Sequence, residues 1–323
     1  MSGSGAPLLV TGTHRSGTTW VGAMLCLSGE AVSLHEPTNP GNRHAWLRHL
    51  VDGPYRALGP DSGAALDTAT RRMLEFRPPR RALISTARSP REVAASLREI
   101  GRAELWRARR PRLIIKDPLA AFSTEWWHDA YGIEPLILIR HPAAFAGSLK
   151  KLGWQFDFVH LANQPHLLSG PLASMASEIE AAARTQPDLI GQATLLWRAV
   201  NRSLVELADR RGWAVHRYED LASEPLGAFH RLYDQYGLRW DGSVEAAIRS
   251  YTSSENAGEV SVADRLSIRR DSSTAMTTWT KRLDGAEIDR VRRETAEIST
   301  RFYTESDWAL PAPETVDEDE VAQ

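Results

Sequence analysis

Residues 8–25 read LLVTGTHRSGTTWVGAML, and this stretch decides the fold. Leu8–Thr11 is a short apolar run of strand type, and Gly12 and Gly17 frame a loop with G-x4-G spacing. Thr18–Leu27 then sets Trp20, Val21, Met24 and Leu25 along one helical face. A second strand over Ala31–Leu34, ended by His35-Glu36-Pro37, completes the opening of a βαβ unit. The stretch therefore predicts an α/β chain, a P-loop-containing three-layer fold with a central, mostly parallel sheet.

Further strands are expected over Leu113–Ile115, Leu136–Ile139 and Trp213–His216. Helical spacing marks Ala64–Phe76, Pro90–Ile100, Phe122–Tyr131, Leu172–Thr185, Leu189–Arg211, Pro225–Tyr236 and Asp284–Tyr303, with one more helix running through Lys151. Residues 38–62 and 153–171 mix Gly, Pro, His and aromatic side chains without periodicity, and are expected to be substrate-binding insertions, with a surface excursion carrying local helix the alternative for the first. Residues 248–280 are rich in Ser, Thr and Arg and less regular. No break in composition divides the chain, so residues 1–310 are expected to form one domain, followed by an acidic, disordered tail over 311–323.

The chain has 323 residues, enough for a large core, with 42% apolar and 25% charged side chains. Its 39 Lys+Arg nearly balance 41 Asp+Glu, so no broad field favours nucleic acid or an acidic membrane, and any basic site must be local. Cys26 is the only cysteine, which excludes intramolecular disulfides and cysteine-rich zinc sites and fits a reducing compartment. It reads as a small core residue of the first helix. The start, MSGSGAP, lacks the features of a secretory signal, and no apolar run approaches the roughly 20 residues that cross a bilayer. A cytoplasmic protein with no stable membrane insertion is expected.

In Gly12-Thr13-His14-Arg15-Ser16-Gly17-Thr18-Thr19, Thr18 occupies the ordinary phosphate-loop lysine position. Anion binding survives that change. The glycines permit a tight backbone, successive N–H groups can surround phosphate oxygens, and the helix start adds its positive end. Arg15 supplies a bidentate cation, while Ser16, Thr18 and Thr19 add hydroxyl donors. Without the lysine and a clear second acidic motif, ATP or GTP hydrolysis is the weaker reading.

The segment HRSGTTWVGAML, His14 to Leu25, resembles the 5′-phosphosulfate loop of sulfotransferases that use 3′-phosphoadenosine-5′-phosphosulfate, in the Arg-containing variant of the bacterial and carbohydrate-type branches. LILIRHPAAFAGSLKK, Leu136 to Lys151, is similar to the family's 3′-phosphate site, an Arg after a core strand and a Ser eight positions on, here Arg140 and Ser148. Arg88 and Ser96 repeat that spacing, but no continuous strand stands upstream. RYEDL, Arg217 to Leu221, resembles the segment whose Tyr approaches the nucleotide, which makes Tyr218 an adenine-site candidate unless it serves only core packing. The same segment offers Glu219 and Asp220 to the helix start. Ile268–Ser273 followed by Trp279 resembles a C-terminal segment of bacterial members, in which Arg269 or Arg270 closes over the 3′-phosphate or simply faces solvent. In order, these resemblances span residues 8–303.

The resemblance implies sulfuryl transfer from 3′-phosphoadenosine-5′-phosphosulfate to a hydroxyl of a small-molecule or glycan acceptor, a carbohydrate, glycolipid or secondary metabolite, with 3′-phosphoadenosine-5′-phosphate released, no metal and no nucleic-acid partner. Such a step needs a base, a cation for the departing oxygen and in-line placement. Glu36 in His35-Glu36-Pro37 is the leading base, with an exposed turn residue the plain alternative, and His35 is its local rival. His14 either orients the loop or faces solvent. Lys116, in IIKDP, and Arg15 are the cations, although Lys116-Asp117 also reads as a solvated turn pair. Two alternatives stay open: an atypical nucleotide-dependent kinase, and an inactive nucleotide-binding interaction protein.

Overall fold

The computed structural model describes residues 5–253, 256 and 274–309. Five strands form one sheet: β1 (Leu8–Gly12), β2 (Ala31–His35), β3 (Arg112–Lys116), β4 (Glu134–Ile139) and β5 (Val215–Arg217). Their order is β2-β3-β1-β4-β5 and every pairing is parallel, with Leu8 beside Ile114 on one flank and Glu134 on the other. β1 thus lies in the middle, with its five residues all buried. β2 pairs with β3 instead of lying next to β1, so β3 separates the two strands of the opening unit.

Side-chain alternation assigns the two faces of the sheet. Leu8, Val10, Ile114, Leu136 and Leu138 point to a cluster with Trp20, Val21 and Met24 of helix α1 (Thr18–Met24). Leu9, Leu113 and Ile115 point the other way, to Trp127 and Met73, while Ile137 and Ile139 join Phe145, Trp197 and Val291. Helices on both faces make three layers, as a parallel sheet requires.

The remaining helices are α2 (Ala64–Leu74), α3 (Arg80–Ser85), α4 (Pro90–Arg109), α5 (Thr124–Tyr131), α6 (Pro142–Leu152), α7 (Val159–Ala162), α8 (Pro165–Leu168), α9 (Ala176–Thr185), α10 (Leu189–Arg211), α11 (Tyr218–Ser223), α12 (Pro225–Gln235), α13 (Gly242–Thr252), α14 (Thr274–Thr277), α15 (Gly285–Ser299) and α16 (Glu305–Trp308). Local chemistry sets their ends. Asp188 caps α10 by accepting from the Gly191 N–H at 3.0 Å, and Gly212, at φ 67°, closes it. Pro142 opens α6 and Gly153 ends it in the left-handed region.

Several boundaries differ from the sequence expectation. α1 stops at Met24, which leaves Cys26 in the following turn, its thiol pushed up to about 12 by burial. α4 runs on from Ile100 to Arg109, through a run of good helix formers. α3 was not expected, nor was α13, whose second half falls in the supposedly irregular 248–280 segment and whose cap, Asp241, accepts from Ser243 and Val244 N–H groups. 3₁₀ turns, Pro118–Ser123 and Ala173–Met175, replace the first parts of two expected helices. Residues 38–62 are packed down, with Trp46, Leu47, Val51 and Leu58 in the core beside Leu34 and Leu66. The tail from residue 310 lies outside the described residues.

Candidate functional site

Because the strands are parallel, all five carboxyl ends meet at one edge of the sheet, where α/β folds hold their ligands. The residues there are Gly12 and its loop after β1, Glu36 after β2, Lys116 and Asp117 at β3, Arg140 after β4 and Tyr218 after β5. Apart from Thr18 and Thr19, which open α1, and Ser148, on α6, the described candidates all come from these strand ends.

The loop is shaped by its neighbours. Gly12 sits at φ 150°, and a Cβ there would run into the Leu138 carbonyl and lie 2.9 Å from Ser16 Oγ. Gly17 sits at φ 91°, under the ring of Tyr218, which leaves no room for a side chain. Arg15 takes a left-handed φ of 66°, a strained conformation for an arginine, and the Ser16 N–H donates to the Thr13 carbonyl at 3.1 Å. Thr13 and Ser16 are buried with hydroxyls that find no partner among the described residues, which is the chemistry of a cradle for an anion.

Around the loop, Arg15 Nε donates to Ser148 Oγ at 3.0 Å, and Arg140 Nη1 donates to the Arg15 carbonyl at 2.8 Å. The Arg140 guanidinium lies 4.7 Å from the centroid of the Tyr218 ring, while its own carbonyl accepts from Trp197 Nε1 at 2.9 Å. Tyr218 is fully buried, edge-on to Trp20, and its hydroxyl has no partner among the described residues. Arg15, Arg140, Ser148 and Tyr218 thus form one contact set. Arg88 is not part of it. It is exposed, and its upstream residues form helix α3 rather than a strand, while Ser96 donates to the Leu83 carbonyl. Glu219, with Asp220, stands in the first turn of α11 as expected; half-buried, it also accepts from the His141 N–H and from Tyr303 Oη, both at 3.0 Å. Arg269 and Arg270 lie outside the described residues.

On the other side of the loop, Lys116 and Glu36 form a salt bridge. Glu36 has φ 46°, its N–H donates to the Lys116 carbonyl at 2.7 Å, and its Oε2 accepts from Asn39 Nδ2 at 2.6 Å. Burial pushes its carboxyl up, but Lys116, His35 and the bonds from Lys116 and Asn39 together hold it below the ordinary range. His35 is held low, by burial first and then by Lys116. Lys116-Asp117 is no solvated turn pair: Lys116 is 3% exposed and Asp117 0%. Asp117 Oδ2 accepts from Thr38 N–H at 2.8 Å and Thr38 Oγ1 at 2.7 Å, and Oδ1 accepts from Leu119 N–H. It locks the turn that carries Glu36, and burial raises its carboxyl to about 6.

His14 does not face solvent. Its N–H donates to Tyr55 Oη at 3.0 Å, its Nδ1 is 2.7 Å from the same oxygen, and its ring lies against Phe145 and Trp154. Burial, with Arg15 beside it, drives its imidazole down to about 3, so the ring is neutral. Sequence reasoning missed Tyr55 and the locking role of Asp117. Tyr55 stands in a stretch without periodicity, and nothing near it signals a partner 41 residues away. Gln164 joins the two expected insertions, accepting from the Ala57 N–H at 2.9 Å and donating to the Tyr55 carbonyl at 3.2 Å.

No protein-family model matches the sequence, and no curated protein matches it. Solved structures similar to the chain include the sulfotransferase domain of the olefin synthase of Synechococcus PCC 7002, at 17% identity and a TM-score of 0.49, covering 94% of this chain and 97% of that one. A sulfotransferase domain from the curacin biosynthetic pathway aligns at 13% identity and 0.46, covering 96% and 100%. Sulfotransferase STF9 of Mycobacterium avium aligns at 15% identity and 0.44, covering 94% and 78%.

Proposed function

We propose that the chain transfers a sulfuryl group from 3′-phosphoadenosine-5′-phosphosulfate to an acceptor hydroxyl on a carbohydrate, glycolipid or secondary metabolite. The observation that carries this reading is the contact set Arg15, Ser148, Arg140 and Tyr218. These residues come from three separate motifs of the resemblance, and they meet around a loop with two unpartnered buried hydroxyls. A nucleotide bearing phosphates at both ends of its ribose suits two arginines and a buried aromatic ring.

In this reading the donor supplies an activated sulfuryl group on a phosphate leaving group. Arg15 and the loop N–H groups hold the 5′ end, Arg140 and Ser148 the 3′-phosphate, and Tyr218 the base. Arg269 or Arg270 adds a further cation at the 3′ end. Lys116 is shared between Glu36 and the departing oxygen. While paired, Glu36 is a weak base; as Lys116 turns toward developing negative charge, Glu36 recovers proton affinity and accepts the acceptor's hydroxyl proton. Asp117 and Thr38 keep its turn in place meanwhile. Residues 38–62 and 153–171, tied by Gln164, form the acceptor side.

The test is incubation with isotopically labelled donor and a broad cell extract, followed by mass spectrometry of labelled esters. Labelled ester without magnesium, lost in Glu36→Gln while 3′-phosphoadenosine-5′-phosphate still binds in calorimetry, is the expected result. Magnesium-dependent γ-phosphate transfer from ATP would establish the kinase instead, and binding without product would leave an inactive nucleotide-binding protein.

A further inference from the structure

Between Ala64 and Arg112 the chain carries thirteen arginines against five acidic side chains, a surplus of eight in a molecule of net charge −2. Ion pairs engage Arg71, Arg77, Arg80, Arg102 and Arg107 within this stretch. Arg81, Arg88, Arg91, Arg98, Arg109 and Arg110 are exposed, and no carboxylate among the described residues forms a salt bridge with them.

The helix α4, which bears Arg91, Arg98 and Arg109, leaves an apolar stripe exposed. A surface helix ordinarily buries its apolar stripe. α4 buries Ser96, Glu99 and Ala103, with Glu99 Oε1 accepting from Trp46 Nε1 at 3.0 Å. Its solvent side repeats Ala94, Leu97, Gly101, Leu105 and Ala108 at intervals of three and four, all exposed, with Leu97 at 55% and Leu105 at 46%. Arg91, Arg98, Arg102 and Arg109 flank that stripe, and Ile84 of α3 adds a further exposed apolar side chain. Beside it, between α2 and α3, lies an open hollow of about 880 Å³ walled by Trp46, Ala65, Ala69, Pro79 and Ala82 and rimmed by Arg72, Arg77 and Arg81. It has the same apolar centre and cationic edge.

We propose that this face docks on a membrane surface carrying anionic lipid headgroups, with its arginines at phosphate level and Leu97, Leu105 and Ile84 in the boundary beneath. Arginines flanking exposed leucines on a helix of about 30 Å are the chemistry of interfacial binding. None of the described helices is long and apolar enough to cross a membrane, so the attachment is peripheral. An acidic polypeptide would meet the same charge. Laid in the hollow, however, its backbone would face alanine, proline and tryptophan walls, whereas hydrocarbon needs no hydrogen-bond partners there. The excess of acidic groups over the rest of the chain orients this face toward a negative surface.

Sedimentation of the full chain with phosphatidylcholine vesicles, alone or in equimolar mixture with phosphatidylglycerol, tests the proposal. Binding to the mixture only, weakened toward 1 M salt, is expected, since the Debye length there is about 3 Å. The triple variant Arg91→Gln, Arg98→Gln, Arg109→Gln should lower partitioning about a hundred-fold. The pair Leu97→Ser, Leu105→Ser should lower it about ten-fold or more. All five positions are exposed, so circular dichroism and melting should stay at wild-type values. Equal binding to phosphatidylcholine alone, no binding to the mixture, undiminished binding by both variants, or retention on polyglutamate without vesicle binding would each overturn it.

Discussion

Gly17 is dictated by Tyr218, whose ring closes over its α-carbon, and by a φ of 91°. Gly17→Ala therefore has to move Tyr218 and strain the loop, at a cost of about 1–3 kcal/mol by denaturant unfolding, and to abolish nucleotide binding by calorimetry. Asp117 gives the second residue-scale prediction. Its carboxyl titrates at about 6 in the folded chain against an ordinary 3.8, so the folded state holds the proton more tightly than the unfolded one. That stabilisation is fully present below the unfolded value and is lost as pH rises through about 6, a loss of about 3 kcal/mol. Glu36, held low, works in the opposite sense and loses its contribution as pH falls through its own depressed value. Urea unfolding between about pH 4 and about pH 7 should consequently show a steeper gain with rising pH in Asp117→Asn than in wild type. Equal slopes would mean that Asp117 is not titrating in this range. At this scale the sequence was legible where chemistry is local: Arg15, Glu36, Lys116, Arg140 and Tyr218 each follow or end a strand. Asp117 and Tyr55 were not, because their roles consist of bonds to Thr38 and His14, 79 and 41 residues away.

Elements read well wherever period and punctuation agreed. α10 was bounded correctly because Asp188 and Gly212 flank a continuous apolar stripe, whereas β1, β3 and β4 were located by their short apolar runs but drawn too short, missing Gly12, Arg112 and Lys116, and Glu134 and Pro135. α4 was cut short because its buried residues are Ser96, Glu99 and Ala103, so only Trp106 signals the core in its second half. The segments 38–62 and 153–171 had no period at all; apolar side chains such as Trp46, Leu58, Phe156 and Leu161 pack each into the core, and the knot at Gln164 ties the two together. Gln164→Ala leaves the Ala57 N–H and Tyr55 carbonyl without that partner, and should cost about 1–3 kcal/mol of stability. If the two segments form the acceptor side, KM for the acceptor rises in this variant while the affinity for 3′-phosphoadenosine-5′-phosphate, measured by calorimetry, stays within about two-fold. Equal losses in both would assign the knot to the whole edge of the sheet.

At the scale of the molecule, the sequence foretold a parallel sheet but not its order, since the place of β3 between β1 and β2 depends on pairings as distant in sequence as Leu8 with Ile114 and Ala31 with Arg112. That order brings the β1 loop against β4 and β5, so Arg15, Arg140 and Tyr218 meet only when the sheet is closed. A ligand held by all three binds the folded chain and not the unfolded one. At a hundred times its dissociation constant it adds about 2.7 kcal/mol. With an unfolding entropy of about 2.1 cal/mol/K per residue, a chain of 323 residues gains about 4 °C in melting temperature. Scanning calorimetry with 3′-phosphoadenosine-5′-phosphate should show that shift in wild type and in Arg88→Ala, and little of it in Arg140→Ala at the same concentration. A shift that survives Arg140→Ala and disappears in Arg88→Ala would move the nucleotide to the turn before α4 and take the proposed site away from the edge of the sheet.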